Sequence, residues 1–283
     1  MLAIVCGVGA ALVFATVTLC NARSSRLIGP AALLGWIMAI GLVILTPFAL
    51  AGGLPARFDA AALGWMAVAG VGDLVGLLLA YAGLAAGKVS IVAPIVATQG
   101  AAAALIAAVA GDPIPDGAAP VLAVVVVGVV LAAIARDTQP DAGPHPGRGA
   151  VLAIGAAVAI GWSLYAIARV SVQLPVVWAL LPSRLLGLLV VTLPLLLRSR
   201  LTLTAGALPL VVVAGAGEII GFALFGLGSR YGIAVTAVLS SLFAAIAAVA
   251  AYLLFGERLR RIQVLGIGMV VVSVAVLSFM RAS

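Results

Sequence analysis

Three ionisable side chains stand in the middle of long apolar segments: Asp73, Arg184 and Glu218. A charged side chain at the centre of a membrane-spanning helix costs about 2.5 to 3.5 kcal/mol on insertion scales, so each should face protein or water and have a partner. Arg184 lies 14 residues before Arg198, and Glu218 lies 13 residues after Ala205, on the other side of one short polar segment. Two consecutive antiparallel helices would therefore hold Arg184 and Glu218 at equal depth, and we expect them to pair.

Counting residues from the predicted helix ends in the same way identifies no counter-ion for Asp73. Removal from water favours the protonated form of an isolated carboxyl group, and a carboxyl that gains and loses a proton inside a cavity is suited to exchanging a proton for a bound solute. We therefore predict that Asp73 is the main proton-coupling or substrate-contacting acid. Two purely structural alternatives stay open: a protonated Asp73 that only hydrogen-bonds a neighbouring helix, and an Arg184–Glu218 pair that only fixes helix packing.

Other polar and aromatic side chains are candidates for lining a polar pathway. Trp162 and Tyr165 are three residues apart and share one helix face, where they could form an aromatic wall or an interfacial belt. Thr98, with Gln99 beside it, and Ser240 are predicted to line the pathway from two further helices. All the candidates lie on predicted helices, so their function depends on how those helices are arranged.

The composition identifies the helices as membrane spans. Apolar residues make up 65% of the chain and charged residues only 8%, against roughly 45–50% and about 25% in soluble proteins. The formal net charge of +7 comes mostly from single or paired basic residues at the ends of apolar runs, which is typical of topology signals at a lipid bilayer and gives no reason to expect nucleic acid. Ten spans are predicted, at residues 1–21, 30–51, 62–84, 89–110, 117–135, 149–170, 174–197, 205–228, 232–255 and 262–280.

A polar segment divides the chain into two halves that resemble each other. Residues 136–148 form a predicted linker between a first five-helix repeat, 1–135, and a second, 149–283. A shift of 145 residues places glycines and acids of the first half on glycines and acids of the second: Gly70, Gly72, Asp73, Gly76, Gly87, Gly111 and Asp112 on Gly215, Gly217, Glu218, Gly221, Gly232, Gly256 and Glu257. A shift of 146 also places Gly41 and Thr46 on Gly187 and Thr192. Because five is odd, the two repeats must cross the membrane in opposite directions. The predicted fold is an all-α membrane protein of ten transmembrane helices in two inverted five-helix repeats.

Two motifs in the second half carry a family resemblance. Residues 253–259 read Leu-Leu-Phe-Gly-Glu-Arg-Leu, and residues 263–266 read Gln-Val-Leu-Gly. The chain resembles the EamA-type branch of the drug/metabolite transporter superfamily, in which Gly-Glu-Arg-Leu ends one helix and Gln-x-x-Gly opens the last. The first half carries the matching stretch from Gly87 to Pro94, although its closing motif is reduced to Gly-Asp-Pro at 111–113. The resemblance implies ten helices, a central cavity, alternating access and a small-molecule substrate.

The expected function is secondary active transport: proton-coupled export of small polar metabolites such as amino acids, by alternating access, across the cell (inner) membrane. A uniporter or exchanger for sugars or related metabolites is the alternative within transport. A membrane-embedded enzyme is disfavoured, because the only histidine, His145, lies in the linker and no span carries a metal-binding set or a phosphate-binding glycine loop. We expect no cofactor and no metal; the partners are a small-molecule substrate, protons and the lipid bilayer, and the protein is expected to be a monomer or a homodimer.

Overall fold

The fold is all-helical throughout the part of the chain that the structure describes. The structure is a computed structural model, and it describes residues 1–53, 59–86, 89–112, 114, 117–133, 146–255 and 261–280, with no β-strand among them. The helices are α1 (Leu2–Ile28), α2 (Pro30–Gly52), α3 (Ala60–Ala86), α4 (Val89–Ala97), α5 (Gln99–Val109), α6 (Ala118–Ala133), α7 (Pro146–Gln173), α8 (Val176–Gly187), α9 (Leu193–Leu197), α10 (Leu208–Ser229), α11 (Ile233–Ser240), α12 (Phe243–Phe255) and α13 (Arg261–Met280). A single π-helical turn, Leu188–Thr192, joins α8 to α9.

The length and composition of these helices define a multi-pass membrane protein. Six stretches among the described residues are long and apolar enough to cross a bilayer: Leu2–Ile28, Pro30–Gly52, Ala60–Gly83, Gly147–Gln173, Val176–Leu197 and Leu208–Ser229. Four further apolar helical stretches are shorter: Pro94–Val109, Ala118–Leu131, Ile233–Ala247 and Arg261–Ser273. Helix is thus present in every one of the ten predicted segments.

Two of the predicted connections differ from the structure. We expected the first helix to end before Arg23, but α1 continues to Ile28, so that prediction is wrong. The helix stops at Gly29, which adopts a φ of 83° that side-chain-bearing residues avoid, and Pro30 then starts α2 at once. Residues 146–148 of the predicted linker are also helical, because Pro146 opens α7. Residues 136–145, including His145, and residues 256–260, including Glu257, lie outside the described residues.

Three of the predicted helices are interrupted. The segment predicted at 89–110 divides at Thr98 into α4 and α5, and the Thr98 amide there donates to the Ile95 carbonyl, three residues back, at 3.1 Å. The segment predicted at 232–255 divides at Ser241 and Leu242 into α11 and α12. The segment predicted at 174–197 widens into the π turn, which begins four residues after Arg184. Within a membrane, irregular backbone is tolerated only where protein or a watery cavity covers it.

Glycines let helices from the two predicted halves approach closely. On α3, a Cβ at Gly72 would lie 2.8 Å from the Ala159 carbonyl oxygen of α7, and one at Gly76 would collide with Ile160. On α10, a Cβ at Gly217 would lie 2.7 Å from Val17 of α1, and one at Gly221 would collide with Phe14. Because lipid gives helices no hydrophobic reason to associate, such close packing is a main source of stability. Helix α3 therefore packs along α7, and α10 packs along α1.

We predict that Gly76→Ala lowers stability by about 1–3 kcal/mol, because the added methyl group overfills the contact with Ile160. Gly64→Ala on the same helix is the matched control, since a Cβ there meets no atom within 4 Å. Unfolding of both variants in mixed detergent micelles measures the difference. Equal stability of the two variants would show that the α3–α7 contact is not as tight as described.

Candidate functional site

A fully buried arginine lies at the centre of the candidate site. The Arg184 side chain, on α8, has no solvent exposure, and its Nη1 donates to Glu218 Oε2 of α10 at 2.6 Å. The predicted pairing of Arg184 with Glu218 is therefore confirmed. Nη1 also lies 3.3 Å from Met38 Sδ of α2, and the guanidinium carbon stands 5.8 Å from the centroid of the Phe222 ring.

The long Arg184 side chain fits because α2 has a glycine opposite it. A Cβ at Gly41 would lie 2.9 Å from Arg184 Cδ and 3.3 Å from Arg184 Nε, so any larger residue would displace the guanidinium. On α8, Gly187 leaves the corresponding room for the side chain of Met38. Met38 lies 146 residues before Arg184, and Gly41 lies 146 residues before Gly187. The Arg184–Gly41 contact and the Met38–Gly187 contact therefore join corresponding positions of the two predicted halves.

Helix α3 brings Asp73 to the same place. Asp73 is 4% exposed, and Ser183 lies beside its carboxylate, with Arg184 and Glu218 near enough to act on its charge. The approach is possible because a Cβ at Gly70, one turn before Asp73, would lie 2.8 Å from Pro182 of α8. Residue counting identified no counter-ion for Asp73; in the structure α3 packs against α8 as well as α7 and brings the carboxylate within the electrostatic influence of Arg184. We call Asp73, Ser183, Arg184 and Glu218 the central cluster.

Several polar atoms of the central cluster have no hydrogen-bond partner among the described residues. These buried atoms are Asp73 Oδ2, Arg184 Nε and Arg184 Nη2. The hydroxyl of Ser183 is used within its own helix, where it donates to the Leu180 carbonyl at 2.9 Å. The Glu218 side chain keeps 15% of its surface exposed, so the cluster is sealed more tightly around Arg184 than around Glu218.

Four side chains around the central cluster were not among the residues predicted from the sequence. Ser183 precedes Arg184, and Phe222 follows Glu218 by one helical turn. Tyr81, two turns beyond Asp73 on α3, lies near enough to Glu218 to feel its charge. Met38 could have been found from the repeat, because it occupies the position that corresponds to Arg184.

A second group of candidates lies where the two broken helices cross. Thr98, in the break between α4 and α5, donates its hydroxyl to the Ile95 carbonyl at 2.6 Å. Ser240, at the end of α11, is 3% exposed and donates to the Ala237 carbonyl at 2.8 Å, an acceptor that it shares with Ser241. Gly100 allows the crossing, because a Cβ there would collide with Ala237 and Ser241.

The candidate Gln99 lies beside this crossing and contacts α7. Its side chain is half-buried, and a Cβ at Gly161 of α7 would lie 3.2 Å from the Gln99 carbonyl oxygen. The candidates Thr98, Gln99 and Ser240 thus belong to one region of the fold, formed by α5, α7 and α11.

The aromatic pair of α7 makes contacts in two directions. Tyr165 is 2% exposed, packs edge-on against Trp65 of α3 at 5.6 Å and lies within reach of Asp112, which forms a 3.3 Å ion pair with Arg169. The Trp162 ring packs edge-on against Tyr165 at 6.2 Å but is 43% exposed.

The exposed face of Trp162 lines an open apolar groove of about 460 Å³. The other lining residues, from α3 and α7, are Ala67, Val68, Val71, Gly72, Val75 and Ala159. The structure therefore brings Asp73, Arg184 and Glu218 together and gives Tyr165 and Trp162 other surroundings. No group of three potential metal ligands occurs among the residues that the structure describes.

Comparison with known proteins supports the fold alone. No family model matches the chain, and no curated protein matches its sequence. A solved crystal structure of a protein superposes on 98% of this chain and 96% of its own with a TM-score of 0.79 and 17% sequence identity. The fold is therefore one that experimental structures contain, and at this identity the similarity says nothing about activity.

We predict that Arg184→Met destabilises the protein by about 3–5 kcal/mol, because it leaves the largely buried Glu218 without its partner. In this background Glu218→Gln should cost nothing further or restore stability, because it removes the unpaired charge. The double-mutant cycle, measured by unfolding in mixed micelles, should give a coupling free energy of about 1–3 kcal/mol.

Arg169→Met is the matched control, because the Arg169 side chain is 41% exposed and its ion pair with Asp112 should contribute less than about 1 kcal/mol. Additive losses from the Arg184 and Glu218 substitutions would contradict a coupled buried pair.

Proposed function

We propose that the protein is a secondary active transporter of the EamA type in the cell (inner) membrane, a proton-coupled exporter of small polar metabolites such as amino acids. The observation that carries the proposal is the central cluster itself: a buried ion pair and a third acid, at the contact of α3, α8 and α10. Ionisable side chains buried among membrane helices are costly, and in transporters they mark substrate and proton pathways.

We propose further that ten spans form two inverted five-helix repeats, one within residues 1–135 and one within residues 149–283. Reciprocal contacts support this arrangement. Gly76 packs on Ile160, and Gly221 packs on Phe14. Gly221 lies 145 residues after Gly76, and Ile160 lies 146 residues after Phe14, so each contact joins the positions that correspond to those of the other. A relation that exchanges the two halves produces such pairs of contacts, as a twofold axis does between identical subunits.

The interrupted helices also support the proposal. The breaks at Thr98 and at Ser241–Leu242 fall in corresponding segments of the two predicted repeats, and the two broken helices meet at Gly100. Discontinuous helices in corresponding positions of two repeats are a feature of transporter binding regions. The four apolar stretches that are too short for a clear span include both of these broken segments.

In the proposed cycle, Asp73 binds either a proton or the substrate. Arg184 and Glu218 neutralise each other, so an ionised Asp73 gives the cluster a net negative charge that a proton or a cationic group can cancel. Loading of one releases the other when the helices of the two repeats rock and open the cluster to the opposite side. Such competition at one carboxylate is sufficient to couple a proton gradient to uphill movement of a solute.

We predict that purified protein in liposomes with an acidic lumen accumulates at least one solute from a mixture of amino acids, amines, carboxylic acids, sugars, nucleosides and cationic drugs. Mass spectrometry of the lumen contents identifies the solute, and a protonophore should abolish its accumulation. If no solute accumulates under any gradient, the proposed function is wrong.

Asp73→Asn should abolish pH-driven accumulation, because the amide keeps the size of a protonated carboxyl group but cannot titrate. Asp59→Asn is the matched control: Asp59 is an exposed acid before α3 whose Oδ1 accepts the Ala62 amide at 2.7 Å, a role that asparagine can keep. Accumulation by Asp73→Asn at the wild-type rate would remove Asp73 from the coupling step.

A further inference from the structure

The guanidinium of Arg184 has one edge in use and one edge free. Its Nη1 is held by Glu218, whereas Nε and Nη2 are buried and meet no acceptor in the described part of the chain. Nε and Nη2 lie on the same edge of the planar group, and their two N–H bonds run parallel. Two parallel donors match the two oxygens of a carboxylate, which an arginine binds bidentately through this edge.

The side chains around the Nε–Nη2 edge offer it no hydrogen-bond acceptor. Gly41 presents no side chain to Nε, and the surrounding side chains of Met38 and Phe222 supply no oxygen acceptor. Ser183, the nearest hydroxyl in sequence, donates to the backbone of its own helix. Buried donors in native proteins are nearly always paired, so a free bidentate edge indicates a place for an acceptor that arrives from outside.

One carboxylate oxygen of Asp73 also lacks a hydrogen-bond partner among the described residues. Its Oδ2 is buried and accepts no hydrogen bond from the described residues, although Ser183, Arg184 and Glu218 surround the carboxylate. An ionised Asp73 beside the neutral Arg184–Glu218 pair favours a cationic donor. The cluster therefore offers a two-donor site for a carboxylate and, near it, a single acceptor for an ammonium group.

The unpaired donors of Arg184 and the unpaired acceptor of Asp73 together favour a ligand that carries both groups. A simple carboxylic acid would add a second net negative charge beside Asp73, and a simple amine would leave the arginine edge unpaired. A sugar would bring neither full charge. A zwitterion pairs both the arginine edge and Asp73 Oδ2, so that no buried donor or acceptor of the cluster is left without a partner, and it adds no net charge.

We propose that the central cluster recognises the zwitterionic head of an amino acid, with the carboxylate on the Nε–Nη2 edge of Arg184 and the ammonium group on Oδ2 of Asp73. The inference rests on the proposed function, because the fully buried guanidinium becomes accessible only when the transporter opens to one side. It adds a condition on the substrate: both the carboxylate and the ammonium group of the head are needed for binding.

The test compares three sets of compounds on wild-type protein and on Arg184→Lys in liposomes. The sets are L-amino acids, the amines made from them by decarboxylation, and the carboxylic acids that lack the amino group. Lysine keeps the positive charge beside Glu218 but has no bidentate edge. For wild type we expect uptake of amino acids and, for the other two sets, rates lower by about tenfold or more, because each lacks one charge-assisted contact.

Arg184→Lys should raise the KM for amino acids about tenfold or more by removing one of two parallel hydrogen bonds. Asp73→Glu, which keeps the acceptor, should retain a preference for amino acids over carboxylic acids, and Asp73→Asn should lose it. Size-exclusion profiles and melting temperatures identify variants that fail to fold. If a variant does not fold, the zwitterion site is tested by the wild-type protein alone, through its relative uptake rates for the three sets of compounds.

The possible results separate the two proposals. Wild-type transport of sugars, nucleosides or amines at rates equal to those of amino acids would overturn the zwitterion site and leave secondary transport standing. An unchanged KM for amino acids in a folded Arg184→Lys variant would do the same. If wild type moves no compound at all, the transport proposal fails, and the substrate assignment fails with it.

Discussion

The burial of one guanidinium group constrains much of the structure around it. Arg184 has no exposed surface, and an unneutralised arginine at such a position would be among the most unfavourable features that a membrane protein could contain. Glu218 must therefore stand opposite it at hydrogen-bonding distance, which fixes the relative depth of α8 and α10. Gly41 must leave room for the side chain, which brings α2 close. The arrangement of three helices thus follows from the requirement that one charge be compensated.

Close packing by small residues makes this compensation possible in lipid. Glycines at positions 70, 72 and 76 allow α3 to lie against both α7 and α8, and the corresponding glycines of α10 contact α1 and α2. These contacts bring Asp73 and Glu218 to one arginine from two sides. A dense scaffold holds the ionisable groups, the π turn supplies irregular backbone one helical turn after Arg184, and the breaks at Thr98 and Ser241 supply it where α5 and α11 cross. A scaffold of this kind combines rigid contacts with places where helices can bend, and a rocking motion requires both.

Much of the helical pattern could be predicted from the sequence, because apolar runs and Gly or Pro boundaries are local features. The Arg184–Glu218 pair was also predictable, since equal depth on consecutive antiparallel helices follows from counting residues. The position of Asp73 beside Arg184 was not predictable in the same way, because it depends on which helices pack together. The two helix breaks were not predictable in this way either: Pro94 lies inside α4, four residues before the break at Thr98, and the break at Ser241 has no proline nearby. At the second break, the hydroxyls of Ser240 and Ser241 share a single carbonyl. Residues three apart, such as Trp162 and Tyr165, point about 60° apart around a helix. Two residues predicted to share a face can therefore differ in burial, with one ring exposed and the other buried.

Access to the central cluster from both sides of the membrane is the central requirement of this account. Ser183→Cys, with Cys6 and Cys20 replaced by alanine, places a single thiol beside Asp73 and Arg184. A membrane-impermeant thiol reagent can then be added to either side of oriented vesicles, and the rate of modification measured with and without an imposed pH gradient. We expect modification from both sides, with the gradient shifting the balance between them. Modification from neither side, or from one side only under every condition, would contradict alternating access to this site.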